Sequence, residues 1–281
     1  MRKMASFSPF IFCFITAIFW LNCLTPGLAA CKSALPFKNG ERLEFQIKWL
    51  FIPAGRAVLQ VLSPSRDIPG AAHHFVLTAS TYPAIDLIYK FRERVDSYTS
   101  ALIERTVFYK KRQQGKTERD ITIRFNLKRN TAQYTNFKEV LPPVKLPKGT
   151  LDPLAALYFI RCQPLIPGQT IERPITDGKK VVIGRLRVIK RESIRLAGHY
   201  YKTIKLEPEL KEVKGVFEKS KNARMYVWVT ADKRKILVRL KSKVIVGSFT
   251  ATLMNLEILD KKNRRNKNKK AETSTAADDY I

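Results

Sequence analysis

The stretch that decides the fold is RLEFQIKW, residues Arg42–Trp49, in which polar and apolar residues alternate at every position. In an extended strand, successive side chains point to opposite faces of the sheet. One face is therefore apolar and the other polar: Leu43, Phe45, Ile47 and Trp49 against Arg42, Glu44, Gln46 and Lys48. Such alternation is typical of a strand that buries one face against a core.

The same period of two recurs along the chain, in RDITIRFN, GRLRVIK and VRLKSK among other segments, and about a dozen strands are expected. Turn residues separate these segments at hairpin intervals. The clearest is Asp177–Gly178, whose composition predicts a type I′ turn. We therefore predict a mostly β fold, a curved antiparallel sheet that forms a half-open or closed barrel.

One or two short helices are expected beside this sheet. Asp152 followed by Pro153 and LAALYFIR predicts a helix with an acidic N-cap and proline at its first position. A weaker helical turn is predicted over Tyr82–Lys90. Three prolines between Tyr134 and Thr150 indicate an extended loop within a single domain.

Residues 1–30 have the pattern of a secretory signal peptide, with Arg2 and Lys3 before an uncharged apolar run. That run of about 15 residues is shorter than the ~20 of a spanning helix. Leu28-Ala29-Ala30-Cys31 resembles the bacterial lipobox, whose cysteine is diacylated, so we predict lipidation of Cys31 and an exported, periplasmic protein anchored to the inner or outer membrane. The alternative is ordinary cleavage, after which Cys31 stays unmodified or pairs with Cys162 in a disulfide.

After the signal peptide we expect a linker over residues 31–40, one β-rich domain over 41–260 and a disordered basic tail over 261–281. The net charge of +28 falls to +26 when the two cations of the signal are removed. In an exported protein this charge favours an anionic membrane surface over nucleic acid as the partner. The tail, with seven cations in KKNRRNKNKK, could add to such binding.

The sequence contains no recognisable catalytic or metal-binding set. His73 and His74 would point to opposite faces of a strand, and His199 has no companion at ligand spacing. There is no G-x-S-x-G elbow and no phosphate-binding loop, so no cofactor is expected. Acidic residues could still act as an acid and base pair, and the candidates are Glu93, Asp96 and the group Glu207, Glu209, Glu212 and Glu218.

Aromatic residues at strand positions could line a lipid cavity instead of filling the core. Those we select as candidate ligand-binding residues are Trp49, Phe51, Trp228 and Phe249.

Three segments in order, LPFKNGERLEFQIKWLFIPAGRAVL, LDPLAALYFIR and MYVWVTADKRKILVRLKSKVIVGSFTATL, resemble the exported bacterial family known as domain of unknown function 3108. The likeness covers about Leu35 to Glu257, with Leu237 at a position where the family commonly has proline. The family implies no known reaction. More loosely, the ending around Trp228, Asp232 and Gly247 is similar to the lipoprotein-carrier fold, a half-closed sheet that shelters acyl chains.

We therefore expect a non-enzymatic cell-envelope protein that binds a lipid or lipidated partner in a β half-barrel. Two alternatives remain open: a structural or assembly factor that docks on anionic membrane or a protein complex through its basic face, and a hydrolase of envelope glycan or lipid that uses paired carboxylates.

Overall fold

The computed structural model describes residues 35–196, 198–209, 224–244 and 247–258. The predicted signal peptide, Cys31 and the basic tail lie outside these residues. The elements are β1 Glu41–Trp49, β2 Ile52–Leu62, β3 His73–Thr81, α1 Pro83–Tyr89, β4 Phe91–Thr99, β5 Thr106–Gly115, β6 Arg119–Asn126, β7 Thr131–Asn136, β8 Glu139–Val140, β9 Val144–Lys145, α2 Pro153–Cys162, β10 Thr170–Thr176, β11 Val181–Leu196, β12 His199–Pro208, β13 Arg224–Thr230, β14 Leu237–Val244 and β15 Gly247–Ile258.

All fifteen strands belong to one antiparallel sheet, which confirms the predicted fold class. Strands β10 to β15 follow one another in chain order, β15 pairs with β1, and β1 to β8 continue the order, while β9 pairs with β7. Within the described residues no hydrogen-bonded ladder joins β10 to β7 or β8, so the barrel is left open at these edges.

Helix α2 packs on β3, β4 and β10, and the curved sheet wraps around it. Asp152 caps it as predicted, because its carboxylate accepts the backbone N–H groups of Leu154 and Ala155 at 2.9 and 3.0 Å. The helix contributes five apolar side chains to the core: Leu154, Ala155, Ala156, Tyr158 and Phe159. The interior beside α2 is therefore filled by side chains.

Side chains close the gap that the hydrogen bonds leave. The loop between β10 and β11 lies against β6 and β7, where a Cβ added to Gly178 would lie 2.8 Å from Ile123 and 3.0 Å from Tyr134. The predicted type I′ turn is wrong here: residues 177–180 form a four-residue connection in which only Gly178 has a positive φ, 85°. The Asp177 carboxylate instead accepts hydrogen bonds from the backbone N–H groups of Lys179 and Lys180, so two donors of this longer loop are paired.

The two ends of the sheet differ. At one end β1 begins and β15 finishes, since Glu41 pairs with Ile258, and we call this the terminal end. At the other end lie the β1–β2 turn, Leu50 and Phe51, and the connection from β3 to β4 through α1. We call this the turn end.

Candidate functional site

Three of the four candidate aromatic residues lie together at the turn end. Trp49 is the last residue of β1 and pairs directly with Phe249 of β15, and Phe51 follows in the β1–β2 turn. Gly247, at a positive φ of 115°, lies against Trp49, because a Cβ there would be 3.1 Å from Nε1 of Trp49. Phe51 is 81% exposed and Trp49 is 40% exposed, so these rings face solvent more than a cavity.

Trp228 is separate from this group and is only 7% exposed. Its Nε1–H donates to the Glu192 carboxylate at 2.7 Å, and the Lys205 ammonium lies 5.3 Å from its ring centroid. The hydrogen bond pairs the indole N–H, and the ammonium covers one face of the ring. Its environment is that of a packed residue, and a ligand would have to displace these partners to reach it.

The centre of the half-barrel is occupied by aromatic packing. Phe75 and Tyr158 stack with centroids 3.8 Å apart, and Phe37 contacts both rings edge-on at 5.3 Å. Burial raises the pKa of the Tyr158 hydroxyl far above its ordinary value. A lipid could enter this region only if these side chains moved.

Beside this packing, a buried ion pair ties the start of β1 to α2. Arg161 donates to both carboxylate oxygens of Glu41, at 2.6 and 3.0 Å, and both side chains are almost fully buried. The same guanidinium donates to the backbone oxygens of Pro36 and Arg234, each at 3.1 Å. The chain that precedes β1 is thereby held at the last turn of α2.

Cys162, next to Arg161, forms a disulfide whose partner lies outside the described residues. Lipidation of Cys31 and its pairing with Cys162 would use the same sulfur atom, so these two predictions exclude each other.

An open groove of about 770 Å³ lies at the terminal end, between the β11–β12 hairpin, the β13–β14 turn and the end of β15. Its floor is part of the core, formed by the buried side chains Ile236, Val238 and Leu253. Leu256 and Tyr201 extend this apolar surface toward solvent. The groove therefore offers continuous apolar contact that leads from solvent to the core.

The rim of this groove is basic. Arg191, Lys202 and Arg234 are exposed around it, and Asp232 is the acid among the lining residues. Asp232 is already used, since it accepts from the Thr230 hydroxyl at 2.6 Å and pairs with Arg234 at 2.9 Å. Arg191 and Lys202 make no ion pair with any residue that the structure describes, and they leave positive charge at the mouth. An apolar floor with a cationic rim is complementary to an amphiphile with an anionic head.

The candidate catalytic carboxylates within the described residues are engaged in ion pairs. Glu93 pairs with Lys111, and Glu207 pairs with Arg187 at 2.7 Å. Asp96 accepts from His74 at 2.8 Å and from Arg94 at 2.7 Å. Burial opposes ionisation of Asp96 most strongly, but these hydrogen bonds together lower its pKa to about 2. A general acid needs a raised pKa, so Asp96 is suited to structural pairing.

Other ionisable side chains also serve local structure. His73 Nε2 lies 2.8 Å from the Ala101 oxygen. Asp152, whose pKa is raised by burial, also accepts from the hydroxyls of Ser97 and Thr106 at 2.6 and 2.7 Å. The described ranges contain no group of three or more His, Cys, Asp or Glu side chains placed to hold a metal ion. Glu212 and Glu218 lie outside those ranges.

The sequence did not reveal the groove. Its lining comes from five strands, β11 to β15, and from the β13–β14 turn, and only strand pairing brings them together. Tyr200 and Tyr201 were a weak signal, because adjacent tyrosines in a strand place one aromatic ring on each face. Among the helices of the described chain, none has the length and apolar character required to cross a bilayer.

Comparison of the fold with solved structures gives distant likenesses. A β-barrel-like protein of domain of unknown function DUF1849 from Brucella abortus matches with a TM-score of 0.51 and 12% identity, over 78% of this chain and 98% of that one. A protein with a YmcC-like fold from Bacteroides fragilis, described as exported, matches at 0.31 and 9%, over 79% and 98%. Lipoprotein LppX of Mycobacterium tuberculosis matches at 0.24 and 11%, over 78% and 87%. The first of these shows a shared barrel-like fold.

Comparison with curated proteins gives no match. The sequence model of one protein family matches residues 44–254, a range that begins within β1, ends within β15 and contains both helices. The matched region is most of the chain and agrees with the segments that first indicated the resemblance. The chain belongs to the family described as Protein of unknown function (DUF3108).

Proposed function

We propose that this protein is an exported, non-enzymatic component of the bacterial cell envelope that binds a lipid or lipidated molecule in the groove at the terminal end. The observation that carries the proposal is the groove itself, with a floor of core side chains and a rim of cations. Export rests on the signal-peptide pattern of residues 1–30.

The volume of the groove, about 770 Å³, lies within the range of roughly 300–1,000 Å³ typical of small-molecule sites. Each methylene that leaves water gains ~0.8 kcal/mol, so an acyl segment of about ten methylenes gains ~8 kcal/mol before the cost of lost motion. Arg191 and Lys202 would hold an anionic head at the mouth, where partial exposure keeps each charge contact weak. Affinity is therefore expected from the acyl segment, and selectivity for anionic lipid from the rim.

The test is native mass spectrometry of the full chain purified from an exporting bacterium without detergent, followed by titration with a fluorescent phosphatidylglycerol. We expect a co-purifying lipid and saturable binding. Ala231 lines the groove, and Ala231→Trp should fill it and abolish binding. The matched control is Ala101→Trp, at an exposed turn outside the groove, which should leave binding unchanged.

A second pair of variants tests the rim. Arg191→Ala with Lys202→Ala should weaken binding of phosphatidylglycerol more than binding of phosphatidylcholine, while Lys128→Ala with Lys138→Ala, two exposed cations elsewhere, should change neither. Circular dichroism checks that each variant is folded. A bare mass together with no saturable binding, or equal binding by folded Ala231→Trp, would overturn the proposal.

A further inference from the structure

Exposed apolar side chains are concentrated at the turn end. Among the described residues, sixteen large hydrophobic side chains are exposed, and seven of these lie in the β1–β2 connection and α1: Trp49, Leu50, Phe51, Ile52, Leu87, Ile88 and Tyr89. Leu87 and Ile88 are the most exposed, at 90% and 87%. Exposed apolar side chains concentrated at one end of a molecule are typical of a binding surface.

Hydrogen bonds and an ion pair connect α1 to the neighbouring strands. The N–H of Tyr82, which precedes α1, donates to the Ala54 oxygen at 3.1 Å, so the start of the helix lies beside the first residues of β2. Arg92 of β4 pairs with Asp86 in α1 and also donates to the Thr81 oxygen at 3.1 Å. No residue of α1 is buried, so its packing against the core cannot explain its apolar composition.

Positive charge surrounds this patch. Lys48, Arg56 and Lys90 are exposed beside it and form no ion pair with a described residue. On β1, β2, β4 and β5, a hollow of about 400 Å³ is lined by five arginines, of which four are paired with acids and Arg56 has no ion pair with a described residue: Arg42, Arg56, Arg92, Arg94 and Arg112. Arg56 follows Ile52 by four strand residues, which corresponds to ~13 Å. Apolar side chains thus lie at the tip, and cations lie around and behind them.

We propose that the turn end docks on the surface of an anionic lipid bilayer. Leu50, Phe51, Leu87 and Ile88 enter the boundary between headgroups and acyl chains, and the cations meet the lipid phosphates. Apolar tips gain energy by leaving water, and each cation near an anionic leaflet adds to this attraction. Trp49 and Tyr89 lie at the base of the tip, where amphipathic rings favour the headgroup level.

The charge of the turn end also argues against a second copy of the chain as its binding partner. Two turn ends placed together would bring the same unpaired cations face to face, which is unfavourable. An anionic membrane instead supplies the opposite charge. This docking is independent of the groove, which lies at the terminal end.

The experiment uses the full exported chain and sedimentation of vesicles that contain equimolar phosphatidylcholine and phosphatidylglycerol, compared with phosphatidylcholine alone. We expect preference for the anionic vesicles. Leu87→Ser with Ile88→Ser should reduce partitioning by about tenfold or more, since both side chains are exposed before binding. The control is Leu102→Ser with Ile166→Ser, two exposed apolar residues outside the patch, which should have no effect.

Trp49 provides a readout of insertion that an N-terminal lipid or a basic tail would not produce. Brominated acyl chains should quench Trp49, while Trp228 is buried and should not respond. Loss of all binding at high salt without any quenching would overturn the proposal in favour of purely electrostatic adsorption. Equal partitioning of the Leu87→Ser, Ile88→Ser variant and the native chain would also overturn it. So would light scattering that shows a dimeric native chain and a monomeric variant with unchanged vesicle binding, because the surface would then join two copies of the chain.

Discussion

The buried pair between Arg161 and Glu41 gives a sharp prediction about stability. Glu41→Ala leaves the Arg161 guanidinium buried with backbone oxygens but no carboxylate. Removing one partner of a buried ion pair typically costs ~3–5 kcal/mol, because the remaining charge is desolvated without compensation. That is a large part of the ~5–15 kcal/mol by which a domain is usually stable.

The same strand supplies the control. Glu44 pairs with Arg42, but these side chains are 38% and 28% exposed, so water screens the interaction. Glu44→Ala should therefore cost no more than ~1 kcal/mol. Both variants remove one carboxylate from β1, and they differ mainly in burial.

The assay is urea unfolding followed by tryptophan fluorescence, with the slope of free energy against urea compared between variants. A double variant, Glu41→Met with Arg161→Met, removes both charges and should recover part of the loss. Recovery should be incomplete because the Pro36 and Arg234 oxygens lose their donor. The reasoning is refuted if Glu41→Ala falls within ~1 kcal/mol of Glu44→Ala, or if the double variant is less stable than Glu41→Ala.

Two further predictions concern ionisation and the cysteines. The pKa of Asp96 is lowered to about 2, so its stabilisation is present above pH ~4 and is lost as the pH falls toward 2. In Asp96→Asn, the unfolding free energy should fall by about 2 kcal/mol less between pH ~4 and pH 2 than it does in the native protein. An equal fall in the two proteins would contradict the stabilising role given to the Asp96 carboxylate. If Cys162 pairs with Cys31, the intact exported protein should gain two hydrogen atoms in mass on reduction and carry no acyl groups. A diacylglyceryl mass would show that Cys31 is lipidated and that this disulfide does not form.

Local pattern was sufficient to predict the strands and the larger helix. In β1 the alternation is confirmed where the strand crosses the core, because Leu43 and Phe45 are buried. At the turn end the alternation no longer predicts burial. Trp49 lies on the same face of the strand as Leu43 and Phe45, but it is exposed because the strand leaves the core there. Asp152 and Pro153 mark the start of α2 because an N-cap is a local interaction.

Long-range pairing could not be predicted in this way. The contact between Glu41 and Arg161 joins residues 120 positions apart, and the pairing of β1 with β15 joins opposite ends of the chain. No periodicity encodes which strands become neighbours. The groove depends on that pairing, so its lining residues could not be selected, and the aromatic residues chosen by strand position include a tip residue, Phe51, and a packed one, Trp228.

The position of the cysteines bears on how the two proposed surfaces work together. Strand β1 has nine residues and spans ~30 Å, so the groove and the docking patch lie at opposite ends of the sheet. A lipid on Cys31 would hold the terminal end, and with it the groove, near the anchoring membrane, because Arg161 fixes the chain at Pro36. A disulfide to Cys162 would remove that anchor and leave the turn end as the membrane-binding surface. The groove would then face away from the bilayer. That orientation favours presentation of the ligand to a partner over direct extraction of lipid from the leaflet on which the protein docks.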